Sequence, residues 1–377
     1  MAKACWRCLP QAHEKNKVNP NEHELQYPWA DIPALGTWQT LRPGVHWVRM
    51  PLPFALDHIN LWVLDDEIDG RSGYTLIDCG ITSKATKQAW EQLFDGAFEG
   101  KPLLRVVCTH FHPDHFGLAH WLTAGGDRQR WTAPLWMTAT EYAFGRYLSA
   151  GGGDNISGES AMSHFARNGL SDGDALQQVR ERGSGYYPGM VPAVPRSFHR
   201  IHEGDELAIG PAHAKRIFRI IVGFGHAPEH ASLYCDEDRL LVAGDMVLPR
   251  ISTNVSVFDL EPDADPLPRY LRSLDRLLLL PADALVLPSH GKPFHGLHQR
   301  IGQQHRHHAD RLDEVLAACA TPQTAASIVP VLFKRQLDLH QMTFALGESL
   351  AHLHALWYEG KLERRDDAGV YRFSAAL

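Results

Sequence analysis

The sequence is poor in the features that would assign it to several large classes of protein. It holds six cysteines in 377 residues, at positions 5, 8, 79, 108, 235 and 319. So few and so dispersed, they exclude a disulfide framework. Only Cys5 and Cys8 form a CxxC pair, and a structural zinc there would need His13 and His23 to complete it; a lone pair reads more simply as part of an N-terminal arm. Basic charge is not in excess. With 37 Lys and Arg against 44 Asp and Glu the net charge is -7, which leaves no electrostatic footprint for nucleic acid or an anionic membrane. Apolar stretches such as "LLLLPADALVLP" are broken by prolines and an aspartate before they reach spanning length. The opening "MAKACWRCLPQAHEKNKVNP" has no apolar core of signal-peptide length, so a cytoplasmic protein is expected. There is no internal repeat and no low-complexity tract.

What the sequence has in abundance is histidine, 23 residues in all. "THFHPDHFG" crowds His110, His112, Asp114 and His115 into six positions directly behind the apolar run "LLRVVC". On a loop leaving a buried strand, alternate residues can turn to different sides, so four ligands can converge on two metals a few ångströms apart. Imidazole and carboxylate suit zinc, and also manganese or iron. Three more candidates share the design: His226 in "GFGHAPEH", Asp245 in "LLVAGD" and His290 in "LVLPSHG" each follow an apolar, β-rich run. Strand ends are rigid places to mount such groups. Seven residues of these types can make two adjoining sites bridged by one carboxylate.

The rest of the chain supplies a scaffold. "GVHWVRMPLP", "HINLWVLDDE" and "SGYTLIDCG" read as strands separated by turn residues, and "SKATKQAWEQLFDGAF" as a helix through Trp90, Leu93 and Phe94. Residues 125–200 lack strand periodicity and read as a covering insertion with helical material and a proline-rich, extended end. "DELAIG", "KRIFRIIVGFG", "ASLYCDEDRLLVAGD" and "DALVLPSHG" return to the strand pattern. Beyond Pro293 a long helix with Leu297, Ile301, Leu312 and Leu316 on its apolar positions leads to further helices, a stop at Gly360 and a hairpin turned at "DDAG". This order indicates a mixed α/β fold with sheets covered by helices.

With the seven residues in this order the chain resembles the metallo-β-lactamase superfamily, whose hallmark is HxHxDH followed by a distal His, an Asp and a last His. The resemblance covers about residues 40–295 and fills all the usual ligand positions. It implies an αββα sandwich with the metals at one edge between two sheets. The expected organisation is an N-terminal arm (1–39), the catalytic domain (40–295, with the helical insertion at about 125–200) and a small winged-helix-like C-terminal domain (296–377). It further implies that His110, His112 and His226 bind one metal, that Asp114, His115 and His290 bind the second, and that Asp245 bridges them. Asp78 in "LIDCG" matches the family's early Asp-x-Gly, which supports the ligands without binding metal. One departure is local. Where many hydrolases of the family read GHTPGH, this chain reads "GHAPEH", which puts Ala227 and Glu229 beside the site.

The resemblance implies two divalent cations, expected to be Zn2+ with Mn2+ or Fe2+ as alternatives. Two such ions sharing a water bring its pKa toward neutrality. Asp114 is the expected catalytic residue, orienting the hydroxide and moving its proton. The function expected is hydrolysis of thioesters or other small activated esters, of the acyl-CoA or acylglutathione type. Lactonase, endoribonuclease and iron-dependent persulfide dioxygenase are the alternatives. Against the nuclease stands the balanced charge of the C-terminal part, where Arg364 and Arg365 are offset by Asp366 and Asp367. The partner is therefore a small molecule, with no membrane or nucleic acid and a homodimer as an option. Around the site, His230 and His58 read as hydrogen-bonding groups that do not bind metal. Glu229 reads equally as a surface or a site-lining residue, Tyr186 and Tyr187 as loop anchors or channel lining, and Arg250 as a surface ion pair or an anion contact.

Overall fold

Strands with apolar side chains at both odd and even positions must be covered on both faces, and this is how the two sheets are built. The computed structural model describes residues 19–151 and 158–376, and Cys5, Cys8 and His13 lie outside the described residues. Seven strands form the first sheet in chain order: β1 (Trp38–Arg42), β2 (Val45–Pro51), β3 (His58–Ile68), β4 (Arg71–Ile77), β5 (Leu103–Val107), β6 (Leu135–Met137) and β7 (His199–Arg200). The first four run antiparallel, and β4 to β7 are parallel neighbours. The second sheet has the order β12-β11-β10-β9-β8, from β8 (Glu206–Ile209), β9 (Arg216–Gly223), β10 (His230–Cys235), β11 (Leu240–Gly244) and β12 (Leu285–Pro288).

Three apolar layers hold four structural layers together. Val45, Trp47, Trp62, Leu64 and Ile77 of the first sheet pack against Phe218, Ile220, Leu233, Val242 and Leu287 of the second. The opposite face of the first sheet, through Val48, Leu61 and Val63, meets Trp90, Leu93 and Phe94 of α1 (Lys84–Asp95). That helix starts where Ser83 accepts from the Thr86 N–H at 3.0 Å. Past α2 (Pro113–Phe116) and α3 (Ala119–Thr123), the insertion contributes α4 (Ala139–Ser149), α5 (Gly158–Arg167), α6 (Gly173–Arg182) and α7 (Tyr186–Met190). It also contributes β6 and β7. At three and two residues, these strands are too short to show any periodicity in the sequence. The segment "GYYPGM", which reads as extended, forms the α7 turn of helix instead.

The outer face of the second sheet is covered by α8 (Pro266–Leu277), α9 (Leu297–Ala318), α10 (Ala325–Leu332) and α11 (Leu339–Tyr358). The hairpin β13 (Leu362–Asp367) and β14 (Val370–Ala375) closes the chain. Tyr234, Leu241 and Val286 of the sheet share one core with Leu346, Leu350, Leu353 and Phe373. The C-terminal helices thus share an apolar core with the second sheet. The Val257 N–H donates to the Gly347 carbonyl at 3.1 Å, binding α11 to a loop that returns below as part of the site. Among the described residues no helix is long and apolar enough to cross a membrane.

Candidate metal centre

All seven candidate ligands sit at one edge of the sandwich, on the segments that leave β5, β9, β11 and β12. Two of those segments depend on glycine. Gly225, at φ +99°, lets the backbone approach α8, since a Cβ there would lie 2.7 Å from the Tyr270 nitrogen. Gly244, at φ +55°, leaves room for His230, whose Nε2 would be 2.3 Å from an added Cβ. His226 and Asp245 follow these glycines directly.

The ligand atoms fall into adjoining groups. His110 Nε2 lies 2.9 Å from His112 Nδ1 and 3.2 Å from His226 Nε2. Ligands at tetrahedral angles around a cation with bonds of about 2.0–2.1 Å lie roughly 3.3–3.4 Å apart, and the ligand atoms of this trio, all within 4.8 Å of one another, could close on one ion. His290 Nε2 is 3.3 Å from Asp114 Oδ2, and His115 Nε2 is 3.7 Å from the same oxygen, which makes a second group. Asp245 stands between the groups. Its Oδ1 is 3.4 Å from His115 Nε2 and 3.5 Å from His290 Nε2, while its Oδ2 is 3.4 Å from His226 Nε2. His115 Nε2 and Asp245 Oδ1 are buried without a hydrogen-bond partner among the described residues. Buried polar atoms are normally satisfied, and a cation in these pockets supplies the missing partner. The donor set therefore fits divalent metal.

The far side of four of the rings is already committed, and this aims the free nitrogen inward. The carboxylate of Asp78 accepts from His115 Nδ1 at 2.7 Å, from the Thr109 N–H at 2.8 Å and from the Thr109 hydroxyl at 2.9 Å. With its proton given to Asp78, Thr109 Oγ1 is left to accept from His110 Nδ1 at 2.9 Å. His226 Nδ1 donates to the Asn254 carbonyl at 2.7 Å and His290 Nδ1 to the His58 carbonyl at 2.8 Å. Burial, reinforced by the neighbouring rings, pushes His110 well below its usual pKa and His112 down to about 3, so both are neutral and have a lone pair to offer. Burial acts the same way on His115 and His290, but the carboxylates of Asp114, Asp78 and Asp245 around the first, and of Asp245 and Asp114 around the second, outweigh it and raise both. Burial opposes the charge on Asp114, yet His115 and His290 hold its carboxyl down at about 2. His112 and Asp114 are the partly exposed members, and so they mark the open side.

The surrounding candidates divide clearly. His230 is buried, and its Nε2 accepts from the Asp245 N–H at 3.1 Å; it holds the ligand loop and lies outside the ligand groups. His58 receives the Gly291 N–H at 2.9 Å and positions the His290 segment from behind. Glu229 accepts from the Thr140 N–H at 3.1 Å and is thus tied to α4. The Tyr187 hydroxyl donates to the Phe111 carbonyl between two ligands, whereas Tyr186 turns outward to His340. Arg250 is exposed and paired with Glu22 at 3.1 Å, clear of the centre. Arg364 pairs with Asp263 at 2.7 Å and lies over the Trp357 ring.

Three supporting residues gave no signal in the sequence. Glu141 of α4 is fully buried and accepts the Phe111 N–H at 2.9 Å and the Glu229 N–H at 2.6 Å, so one carboxylate clamps two ligand loops together. Burial raises its carboxyl, and the two N–H groups oppose that by favouring the ionised form. Asn60, buried on β3, donates to the Pro288 and Gly291 carbonyls at 2.8 and 2.7 Å and so brackets His290. Glu348 of α11 accepts from Asn254 at 3.3 Å, which links the C-terminal helix to the loop behind His226. A lone Glu or Asn on an amphipathic element carries no motif; only the fold shows what it faces.

Comparison with known proteins agrees with this geometry. The family model for the metallo-beta-lactamase superfamily matches residues 56–290, and a model for a metallo-beta-lactamase-like C-terminal domain matches residues 312–376. Among solved structures, a beta-lactamase domain protein from Burkholderia ambifaria is 54% identical, with a TM-score of 0.88 over 94% of this chain and 99% of that one. A metallo-beta-lactamase family protein from Thermus thermophilus is 28% identical, with a TM-score of 0.71 over 89% of this chain and 100% of that one. The probable metallo-hydrolase YqjP of Bacillus subtilis is 24% identical over 323 residues, which is 82% of this chain and 91% of the relative.

Proposed function

The chain belongs to the metallo-β-lactamase superfamily, and from that premise we propose that it is a dinuclear metal-dependent hydrolase acting on thioesters or other small activated esters of the acyl-CoA or acylglutathione type. The observation that carries the reading is Asp245, which directs one carboxylate oxygen to each of two adjoining ligand groups. In this reading His110, His112 and His226 would hold one ion, Asp114, His115 and His290 would hold the other, and Asp245 would serve both. Zinc suits the nitrogen and oxygen donors, as do manganese and iron. Divalent ions held there would lower the pKa of a bound water toward neutrality and polarise the substrate oxygen.

The protein's own groups do the rest. Asp114 faces the opening, so its carboxylate would accept a hydrogen bond from a water there and orient it. Asp78 and the Asn254 and His58 carbonyls keep four imidazoles in one tautomer, which removes a rearrangement from the reaction path. Glu141 sets the spacing of the loops that carry His110, His112 and His226. Phe111 and Tyr187, 6.1 Å apart at their ring centres, wall one side against bulk water.

The test is metal content of the purified protein followed by a panel of acyl thioesters, lactones, persulfides and labelled RNA, with His110→Ala as control. Thiol release from thioesters, abolished by the substitution, is expected. Turnover of lactones without thioesters would replace the reading by lactonase, and cleavage of the RNA alone by nuclease. Iron with oxygen uptake on persulfides would replace it by the dioxygenase.

A further inference from the structure

Three separate parts of the chain meet at His340, near the start of α11. Phe54, from the loop between β2 and β3, stacks on its ring with centroids 5.2 Å apart. Tyr186, from the insertion, donates its hydroxyl to His340 Nδ1 at 3.1 Å. Arg182, the last residue of α6, is 3.4 Å from the same nitrogen and lies over the Tyr186 ring at 4.8 Å. Phe344, one turn along α11, packs against His340 from the other side at 5.0 Å.

Each of these parts is also tied to the metal centre a few residues away. Tyr187, next to Tyr186, donates to the Phe111 carbonyl between His110 and His112. The loop that carries Phe54 ends at His58, whose carbonyl holds His290 at 2.8 Å. The helix that carries His340 reaches Asn254, the residue behind His226, through Glu348. The cluster is therefore joined to the ligand loops through three separate segments. Burial raises the Tyr186 hydroxyl, with Arg182 opposing and the charge of Asp114 adding to the effect.

Arg182 is unusual in this setting. Arg180 on the same helix pairs with Glu159 at 2.7 Å, and Arg167 pairs with Asp366 at 3.1 Å. Among the described residues Arg182 has no carboxylate in ion-pair range and is held only by an aromatic face and an imidazole. A guanidinium stacked in this way is ordered before it binds, and its planar fork matches a carboxylate or phosphate. Phe54 and Phe344, the latter 38% exposed, offer apolar surface beside it.

We propose that Arg182, oriented by Tyr186 and His340, binds an anionic oxygen group on the substrate, remote from the scissile bond, while Phe54 and Phe344 receive the apolar chain between. The inference deepens the hydrolase reading and rests on it. The C-terminal helix is then part of the substrate site, through His340.

The test compares matched esters on full-length, metal-loaded protein: the glutaryl and hexanoyl thioesters of one neutral thiol, and the acetyl thioesters of a carboxylated, a phosphorylated and a neutral thiol of equal length. The wild type should prefer at least one anionic member by tenfold or more in kcat/KM, and the arm that shows it identifies the anion and the side of the ester that bears it. Arg182→Ala should erase that preference through KM, with kcat within about twofold and the neutral ester, which reports intact folding, unchanged. A preference that survives Arg182→Ala, its absence from the wild type, or an equal loss on charged and neutral esters would overturn the proposal. If no ester is turned over, the hydrolase reading fails and calorimetry decides separately. Glutarate bound tenfold more weakly by Arg182→Ala than by wild type, with glutaramide indifferent, keeps the anion site; equal binding removes it.

Discussion

Asp78→Asn separates the charge of a supporting residue from its shape. Asp78 is 2% exposed and has φ +62°, a left-handed conformation that Asn adopts as readily as Asp. The substitution therefore leaves the backbone unstrained and the volume unchanged. What changes is acceptor capacity. The carboxylate receives the Thr109 N–H on one oxygen, and the Thr109 hydroxyl and His115 Nδ1 on the other. An amide has one oxygen, so its NH2 must face either the Thr109 N–H or the His115 proton, donor against donor. One buried donor left without an acceptor costs about 1–3 kcal/mol. Loss of the anchoring of a ligating imidazole typically weakens metal binding about 10–100-fold. The effect reaches both ligand groups, because Thr109 relays Asp78 to His110 at 2.9 Å. Chelator competition followed by metal analysis should show Asp78→Asn losing the ion at His115 at lower chelator concentration than wild type, with a lowered melting temperature for the metal-free protein. Affinities within twofold of wild type at both sites would refute the argument that Asp78 fixes these tautomers.

Other residues make independent tests. Glu141→Gln offers one acceptor to the two N–H groups of Phe111 and Glu229, so thermal denaturation should register a loss of about 1–3 kcal/mol and metal retention should fall; an unchanged melt would show that the clamp is idle. Gly244→Ala adds a Cβ 2.3 Å from His230 Nε2 at φ +55°. It should destabilise by about 2–4 kcal/mol and loosen Asp245, measured by melting and by metal content. His354 is buried, donates to the Ala264 carbonyl at 2.8 Å, and has its pKa lowered from 6.5 to about 4, chiefly by burial. Because the folded value lies below the unfolded one, its contribution is complete above about pH 6.5 and is lost as pH falls toward 4, roughly 2 kcal/mol by pH 5. His354→Asn keeps a donor and cannot titrate, so its melting temperature should fall less than that of wild type between about pH 7.5 and 5; parallel curves would contradict the assignment.

The mixed α/β fold was legible because strand-length apolar runs and a helix with period 3.6 are local patterns, and "LLRVVC" ahead of "THFHPDHFG" places a strand end without any knowledge of its neighbours, whereas the αββα arrangement was implied by the family resemblance. The strands β6 and β7 were not legible. Two or three residues carry no period, and they pair only because β5 offers an edge. The two roles open for Glu229, Tyr187 and Arg250 were separated by what each side chain meets: the α4 backbone, the Phe111 carbonyl and Glu22. Residue type and order along the chain determined the family and the seven candidate ligands, since both are written in short spacings at strand ends. Tertiary structure alone decided how those ligands are held and what is joined to their loops. Asp78, Glu141, Asn254 and Arg182 act on groups 20 or more residues away in sequence, and such separations are closed only when two sheets and the C-terminal helices pack into one body.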